Sequence, residues 1–406
     1  MLKYILSKKT TVNWSDQAII INHPGLKKSI TSTNTQILPL FDLFSKQPLY
    51  IPEAIEKLKY HLSHKFPDIN KNLQNEIQIL INHKILIPCH LSHSEYFKIL
   101  DRKRSDMDFL IYDDWDMTVS NCGKNDLSKG CRSCKEGRWV CIFPSYACNA
   151  NCKFCPRLTE ENINVPVMDF TRADLLLMKI ESFSDQISGI SISGGEIFFK
   201  NYEISKYIFT KLKKKYPHIY LWGYTNGILA SEDKMRELKD VGLDELRFNL
   251  AATNFNQKII DNIKKFAVNI FPWVSVEIPI YSDSFEQLIK KEKLKEITEI
   301  GVKQLNLAEM RIPFPNKDRT DRNISPVEKN FLEKEEVYEF EMMSTRILSL
   351  VNSRILTYDV FKYAHENNLD IKINDCSQEA KVVQMSRRLA RGLSSVQNFA
   401  VSLLKM

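Results

Sequence analysis

The stretch Cys148-Asn149-Ala150-Asn151-Cys152-Lys153-Phe154-Cys155 decides how this chain is read. Its spacing, C-x3-C-x2-C, puts three thiols on one loop, whereas a cubane [4Fe–4S] cluster has four irons and is usually held by four cysteines. Three close ligands therefore leave one iron open to an exogenous group. The same short spacing also suits a zinc knuckle or a set of buried thiols, because metals share such patterns. The sequence downstream separates these readings.

Ser193-Gly194-Gly195-Glu196 closes an expected strand. Two glycines let the backbone approach a ligand closely, and the Glu196 carboxylate can accept a hydrogen bond from a cationic amine. Thr225-Asn226-Gly227 ends the next strand, with Asn226 as a candidate cofactor contact. Asn249 and Glu277 are polar residues at otherwise apolar strand ends, suited to ribose or carboxylate recognition or to a solvated rim. Glu309 and Arg311 face the same rim and can pair with each other.

From Val140 onward, short β-branched segments alternate with longer amphipathic ones, the pattern of βα units in a parallel sheet. Strands are expected near Cys141–Ala147, Gly189–Ser193, Ile219–Tyr224, Glu245–Leu250, Trp273–Ile280 and Lys303–Leu307. Helices are expected near Arg172–Ser182, Glu203–Lys215, Ser231–Val241, Gln257–Phe266 and Phe285–Ile300.

The cysteine triplet, the aromatic Phe154 before its third member, and Gly194-Gly195-Glu196 one strand–helix unit later together resemble the radical S-adenosylmethionine (SAM) superfamily. That resemblance implies an α/β fold, a partial (β/α)6 TIM-type barrel with its reactive centre at the carboxyl ends of the strands. It implies that Cys148, Cys152 and Cys155 hold a [4Fe–4S] cluster whose open iron chelates the amino and carboxylate groups of SAM. It further implies that Gly194, Gly195 and Glu196 hold the SAM ammonium. An electron, from a donor such as flavodoxin or ferredoxin, then cleaves SAM to a 5′-deoxyadenosyl radical. Thr225-Asn226-Gly227 resembles the SAM-lining Thr-Asn-Gly of the activating-enzyme branch, although Tyr224 stands where many of those enzymes have an acid. Gly242–Phe248, Val276–Pro279, Leu305–Glu309 and the terminal Cys376-Ser377 with Lys381, Gln384 and Arg388 resemble a group related to the activating enzyme of pyruvate formate-lyase. This likeness covers roughly residues 130 to 390.

Six cysteines lie outside the triplet. Cys131-Arg132-Ser133-Cys134 has metal-ligand spacing, and a C-x2-C pair beside an iron–sulfur motif is expected to bind a second centre. Cys122, Cys131, Cys134 and Cys141 can form a local four-thiolate site for a mononuclear iron, a zinc or an auxiliary cluster. Alternatively, Cys131 and Cys134 join the distant Cys376, with Cys141 or Cys122, around an auxiliary [4Fe–4S] cluster. Cys376 has a third candidate role, catalytic, as the thiol that returns a hydrogen atom to a peptide radical. Cys122 suits a buried free thiol equally well. Cys89 reads as non-functional. Lys381, Arg387, Arg388 and Arg391 read as a solvated or substrate-binding basic helix.

Residues 1–95 read differently. Ala18–Asn22 and Lys28–Ile30 suggest strands, residues 37–43 a short apolar segment, and the runs from Pro52 and from Leu73 to His83 two helices. With the ending Lys84–Pro88, they resemble the winged-helix peptide-recognition domain of enzymes that modify ribosomally made peptides. That domain takes a leader peptide as an added strand.

The chain has 406 residues, ordinary charge content and a net charge of +7. That is long enough for two domains and permits an acidic peptide or nucleic acid as partner. No apolar run is long enough to cross a bilayer, and charge interrupts the start too soon for a signal peptide. Nine clustered cysteines suit metal ligation in a reducing cytoplasm. No aromatic-and-basic stacking platform favours nucleic acid. The expected organisation is a peptide-recognition-like domain (1–95), a cysteine-rich linker (96–140), the barrel (141–310) and a C-terminal extension (311–406). The expected activity is hydrogen abstraction from a peptide or protein carrying a leader segment. The rivals are a radical SAM enzyme acting on RNA or a small molecule, and a zinc-stabilised binding protein that is not an enzyme.

Overall fold

The computed structural model describes residues 3–6, 11–14, 19–22, 30–32, 49–50, 77–78, 80, 86–89, 93–105, 107–113, 118–152, 154–155, 166–313, 337–342 and 345–403. The chain divides into two compact units: residues 1–93 with 328–339, and residues 94–327 with 340–406.

In the first unit, Lys3–Leu6 pairs antiparallel with Leu49–Tyr50 on one side and Leu86–Cys89 on the other. Thr11–Trp14, Ile19–Asn22 and Ile30–Ser32 form a second antiparallel sheet. The expected strand at 18–22 is therefore present, and the one at 28–30 begins at Ile30. Ile77, Gln78 and Leu80 are helical, with Ile77 and Leu80 buried as the apolar spacing requires. The segment at 37–43, the helix from Pro52 and the rest of the 73–83 helix lie outside the described residues.

The second unit is an α/β partial barrel built on a nine-stranded sheet. Seven strands run parallel in chain order: β1 (Trp139–Ile142), β2 (Gly189–Ile192), β3 (Tyr220–Thr225), β4 (Glu245–Phe248), β5 (Trp273–Ile280), β6 (Gln304–Glu309) and β7 (Lys372–Cys376). Beyond β7, Thr118–Ser120 and Ile111–Asp113 add two antiparallel strands. Six parallel strands were expected. The seventh comes from the segment read as an extension, because Lys372-Ile373-Asn374-Asp375-Cys376 offers a single β-branched residue. Its alternate side chains Asn374 and Cys376 are polar or thiol, so the run carries no apolar signal.

The register explains this polarity. Cys141 is level with Ser191, Tyr224 with Arg247, Glu277 with Asn306, Asn306 with Asn374, and Ala308 with Cys376. Side chains alternate along a strand, so these residues share one face of the sheet. The intervening Leu305, Leu307 and Ile373 are fully buried on the other.

Four of the outer helices start on side-chain caps, which satisfy orphan backbone N–H groups. Asp169 caps α2 (Phe170–Glu181), Ser231 caps α4 (Glu232–Asp240), Asn256 caps α5 (Gln257–Asn262) and Ser377 caps α7 (Gln378–Ala390). Helix α3 (Tyr202–Lys215) buries Ile204, Ile208 and Leu212 at helical spacing. The single helix expected over 285–300 is broken at Glu292, whose φ of 54° is left-handed. After it come α6 (Val351–Glu366) and α8 (Leu393–Ser402).

The expected linker is part of the barrel. Its helix α1 (Lys129–Lys135), capped by Ser128 Oγ on the Cys131 N–H at 3.1 Å, packs against β1, β2 and β3. Ser128 also reaches the first residue of β6, donating its N–H to Gln304 Oε1 at 2.9 Å. A Cβ on Gly130 would come within 2.7 Å of Arg247 Nη2 and 3.0 Å of Glu245 Oε2, so a side chain there would push on that ion pair. Helix α1 thus closes the amino-terminal end of the strands. The carboxyl ends are left to the site.

Candidate active site

The cysteine loop leaves β1 and is locked at its base to the turn after β2. The Glu196 N–H donates to Ala147 O at 2.9 Å, and a Cβ on Gly195 would lie 2.0 Å from that same oxygen. Gly194 has φ +110°, a region that disfavours any side chain. Both glycines are therefore required by the approach of one backbone to another.

Glu196 is buried, and its carboxylate is already engaged by the chain. Oε1 accepts from Thr225 Oγ1 at 2.7 Å and from the Phe198 N–H at 3.1 Å, and Oε2 accepts from the Asn226 N–H at 2.7 Å. A carboxylate has about four acceptor positions, so at most about one remains for an ammonium. Burial pushes its pKa up, while the bonds from Asn226, Thr225 and Phe198 oppose the shift. Glu196 is thus a brace between β2 and β3, with its backbone on the cysteine loop.

Asn226 continues the connection. Its Nδ2 donates to Asn149 Oδ1 at 2.9 Å and lies 3.8 Å from Cys148 Sγ, while its Oδ1 accepts from the Ile228 N–H. Cys148 Sγ also accepts from the Ala150 N–H at 3.5 Å. Burial pushes the Cys152 thiol up to about 12, and the neighbouring Cys155 and Cys148 add to the shift. Three thiols close enough to oppose each other's ionisation are a set that a cation would relieve. Phe154 of the loop meets Tyr281 with ring centroids 6.1 Å apart. Beside them opens a cavity of about 380 Å³, lined by Asn151, Cys152, Ala251, Ala252, Asn254 and Tyr281 among others.

Among the described residues no three Cys, His, Asp or Glu side chains converge in metal-binding geometry, so closure on a cluster requires rotation of the thiols. The residues fit such a group nonetheless. Three soft sulfur donors suit iron–sulfur chemistry, Asn226 Nδ2 approaches Cys148 Sγ as an outer partner does, and the cavity opens beside Cys152.

Other expected contacts take different positions. Asn249 caps the short helix Leu250–Thr253, accepting from the Ala252 N–H at 3.2 Å. Glu277 is not at a strand end: it is the fifth residue of β5 and points into the barrel. Its Oε2 accepts from Arg247 Nη1 at 2.8 Å and Asn306 Nδ2 at 3.3 Å. Glu309 is buried and accepts from the Gln378 N–H at 2.7 Å. Arg247 also pairs with Glu245 at 2.7 Å, and their side chains are 2% and 0% exposed. Burial opposes its charge, but Cys131 and Glu245 more than offset this and hold the guanidinium well above its ordinary range. This pair carries no role in the sequence reading. Its signal was the alternation Glu245-Leu246-Arg247-Phe248, which puts two charges on one face of a buried strand.

Neither expected grouping of the remaining cysteines is drawn together into a metal-binding set among the described residues. Cys122 is half-buried, within electrostatic reach of Asp126, Lys372, Lys135 and Cys131, and Cys141 lies on β1 level with Ser191. Cys131 and Cys134 are on α1, and Cys376 ends β7, where its Sγ accepts from Asn374 Nδ2 at 3.1 Å. The basic helix is not solvated either. Arg388 is buried over the Trp139 ring at 4.5 Å. Arg387 Nη1 and Arg391 Nε donate to the carbonyls of Lys135 and Glu136. Cations at the carboxyl end of α1 are favoured by its dipole.

A parallel α/β barrel with a three-cysteine loop after its first strand and a braced Gly-Gly-Glu turn after its second defines the class. Residues 142–269 match the radical SAM superfamily model, so this part of the chain is a radical SAM domain. The chain is similar to a protein of Methanocaldococcus jannaschii named as a glycyl-radical enzyme activating enzyme, with 25% identity over 282 residues, 66% of this chain and 68% of the relative. Among solved structures it is similar to Streptococcus suis SuiB bound to S-adenosylmethionine, with TM-score 0.37 and 12% identity over 92% of this chain and 72% of that one. BtrN in complex with AdoMet and 2-DOIA matches with TM-score 0.30 and 19% identity over 35% of this chain, which spans 56% of BtrN. No helix among the described residues is long and apolar enough to cross a membrane.

Proposed function

We propose that this enzyme abstracts hydrogen from a peptide or protein, leading to epimerisation, crosslinking or a related C–H modification. In this reading Cys148, Cys152 and Cys155 hold the [4Fe–4S] cluster, and a further metal centre occupies the remaining cysteines. When bound, cluster and SAM together supply one-electron cleavage and a hydrogen-abstracting species. The chain's own residues shape that site. Gly194 and Gly195 bring backbone to the loop, Asn226 orients Cys148, and Tyr281, packed against Phe154, lines the cavity beside Cys152. The observation that carries the reading is the continuous connection Glu196–Asn226–Cys148, which ties the ends of β2 and β3 to the thiol loop.

The first unit supports a peptide substrate through its short antiparallel sheets, since strand addition uses main-chain hydrogen bonds at a sheet edge. A flavodoxin or ferredoxin supplies the electron. The name of the M. jannaschii relative favours a second form of the same reading, in which the substrate is a backbone glycine of a partner enzyme.

The test is to supply reductant, SAM and candidate peptides or partner proteins to the anaerobic full chain, following substrate mass and deuterium uptake into 5′-deoxyadenosine. Replacing Cys148, Cys152 and Cys155 by alanine should abolish SAM cleavage. Undiminished 5′-deoxyadenosine from that variant would refute the cluster assignment.

A further inference from the structure

Above α1, which closes the amino-terminal end of the barrel, the inner face carries a polar layer. Cys131 Sγ of α1 lies 3.5 Å from Asn306 Oδ1. Level with Asn306 stand Glu277 of β5 and Asn374 of β7, and both bond to its amide. Asn306 Nδ2 donates to Glu277 Oε2 at 3.3 Å, and Asn374 Nδ2 donates to Asn306 Oδ1 at 3.3 Å. Arg247 extends the layer to β3: its Nη1 donates to Glu277 Oε2 at 2.8 Å and to Tyr224 Oη at 3.3 Å. One guanidinium nitrogen therefore holds a phenol and a carboxylate side by side.

Three groups of this layer have hydrogen-bonding capacity to spare. Tyr224 Oη accepts from Arg247 and, at 3.2 Å, from Trp222 Nε1. Both lone pairs are used, so its own hydrogen is left to donate. Glu277 Oε1 accepts nothing among the described residues, and this side chain is 24% exposed. With α1 across the amino end, that exposure is to the barrel mouth. Asn374 is 3% exposed, and its Oδ1 has no hydrogen-bond partner among the described residues. Turning this amide over would set its oxygen against Asn306 Oδ1, so the spare atom is an acceptor. A buried polar atom without a partner calls for one.

One donor beside one acceptor, with a second acceptor two strands away, selects among ligands. An ammonium answers Glu277 and leaves the Tyr224 hydroxyl idle. A carboxylate answers Tyr224 and meets Glu277 as a like charge. A peptide group presents a carbonyl and an N–H together, and the next N–H along a chain serves Asn374.

We propose that Tyr224, Glu277 and Asn374 form the floor of a substrate site that takes the backbone amides of a peptide. Tyr224 donates to a carbonyl oxygen, while Glu277 and Asn374 accept from N–H groups. Arg247 is a positioning residue, which sets the phenol and the carboxylate at one spacing. The inference rests on the peptide reading above and adds the residues that recognise the peptide. It moves Glu277 from the cofactor contact expected from the sequence to the substrate. A site built to bond an N–H rejects the analogue that lacks it, because its own acceptor is then left unpaired.

The test uses the full chain, purified anaerobically, with dissociation constants read by saturation-transfer NMR on small probes. N-methylacetamide is one peptide group, and methyl acetate has the same shape without the N–H. The native chain should bind the amide about tenfold more tightly than the ester, the worth of a good hydrogen bond. Tyr224→Phe should weaken both probes. Glu277→Gln should abolish the preference, because its oxygen stays on Arg247 and its NH2 takes the ligand side. N-acetylglycine N-methylamide adds a second N–H, and its gain over N-methylacetamide should vanish with Asn374→Ala. Should Glu277→Gln fail to fold by circular dichroism, Tyr224→Phe, which keeps the ring, carries the test. A folded native chain that binds amide and ester equally, or neither, overturns the proposal, as does tighter binding of butylammonium than of the amide. SAM affinity of the cluster-loaded chain, measured by equilibrium dialysis, should not move with Tyr224→Phe. An equal loss there would assign the hydroxyl to the cofactor and overturn the proposal. Failure of the peptide reading is separately visible: amide preference without turnover of any peptide or protein leaves the recognition standing and removes the substrate. A peptide processed equally by the native and Tyr224→Phe enzymes does the reverse.

Discussion

Glu196 binds the backbone N–H of Asn226 at 2.7 Å, and both residues are buried where β2 and β3 end. Every acceptor contact of this carboxylate that joins the two strand ends comes from a donor that cannot be turned away: a backbone N–H or a short hydroxyl. Glu196→Gln places an amide NH2 opposite one of those donors. The expected loss is about 1–3 kcal/mol of unfolding free energy, the usual cost of an unsatisfied buried group. Thr225→Val, which removes one donor and leaves two, should cost about 1 kcal/mol. Urea denaturation of the two variants checks the order, and equal losses would contradict the brace.

Gly195→Ala tests the backbone approach. The new methyl would stand 2.0 Å from Ala147 O, so the turn or the cysteine loop must shift. Overpacking of this kind costs about 1–3 kcal/mol. Reconstituted iron at Cys148, Cys152 and Cys155 should fall together with the melting temperature. A variant with native melting and native iron content would show that the loop gives way freely.

Arg247→Met leaves Glu245 and Glu277 without their cation. Breaking a buried pair from one side costs about 3–5 kcal/mol. The double variant Arg247→Met with Glu245→Leu should recover much of that loss, because it removes the fully buried one of the two stranded carboxylates and leaves only the partly exposed Glu277. Chemical denaturation of both proteins is the measurement, and a double variant no more stable than the single one would count against the pair.

In the metal-free protein Cys152 should alkylate slowly. Its thiol is pushed from 9.0 up to about 12, by burial first and by Cys155 and Cys148 next. The thiolate is the reactive form, so at neutral pH the iodoacetamide rate should fall about a thousandfold below that of a free cysteine. Metal loading should protect the same residue altogether. Rapid labelling of Cys152 at neutral pH in the folded apo-protein would exclude the shift.

How much of this was legible in the sequence follows from where the side chains point. Outer-face residues such as Leu305, Leu307 and Ile373 carry an apolar signal, and five parallel strands fall where that signal predicts them, while the first, expected at Cys141–Ala147, runs over Trp139–Ile142. β7 was missed because its inward residues Asn374 and Cys376 are polar or thiol, a pattern shared with loops. The thiol triplet and the Gly-Gly-Glu turn could be found from spacing alone. The task of Glu196 could not, because its donors Thr225 and Asn226 arrive from another strand. Glu277 read as a rim residue because no sequence pattern tells a strand's end from the inside of a barrel. The arginines after Cys376 read as a solvated or substrate-binding helix, since a charge run shows its sign and hides its partners. Here those partners are α1 carbonyls 252 and 255 residues earlier in the chain.

Those two contacts also set a timetable. At about 5–20 residues per second, the ribosome takes roughly 10–50 s to travel from α1 to the arginines that cap it. Throughout that interval the helix bearing Cys131 and Cys134 lacks its last neighbours, and β7, which brings Cys376, is among the final strands to emerge. A nascent chain is therefore open along one seam for most of its synthesis. Once α7 closes that seam, exposing α1 again should require the end of the chain to peel away.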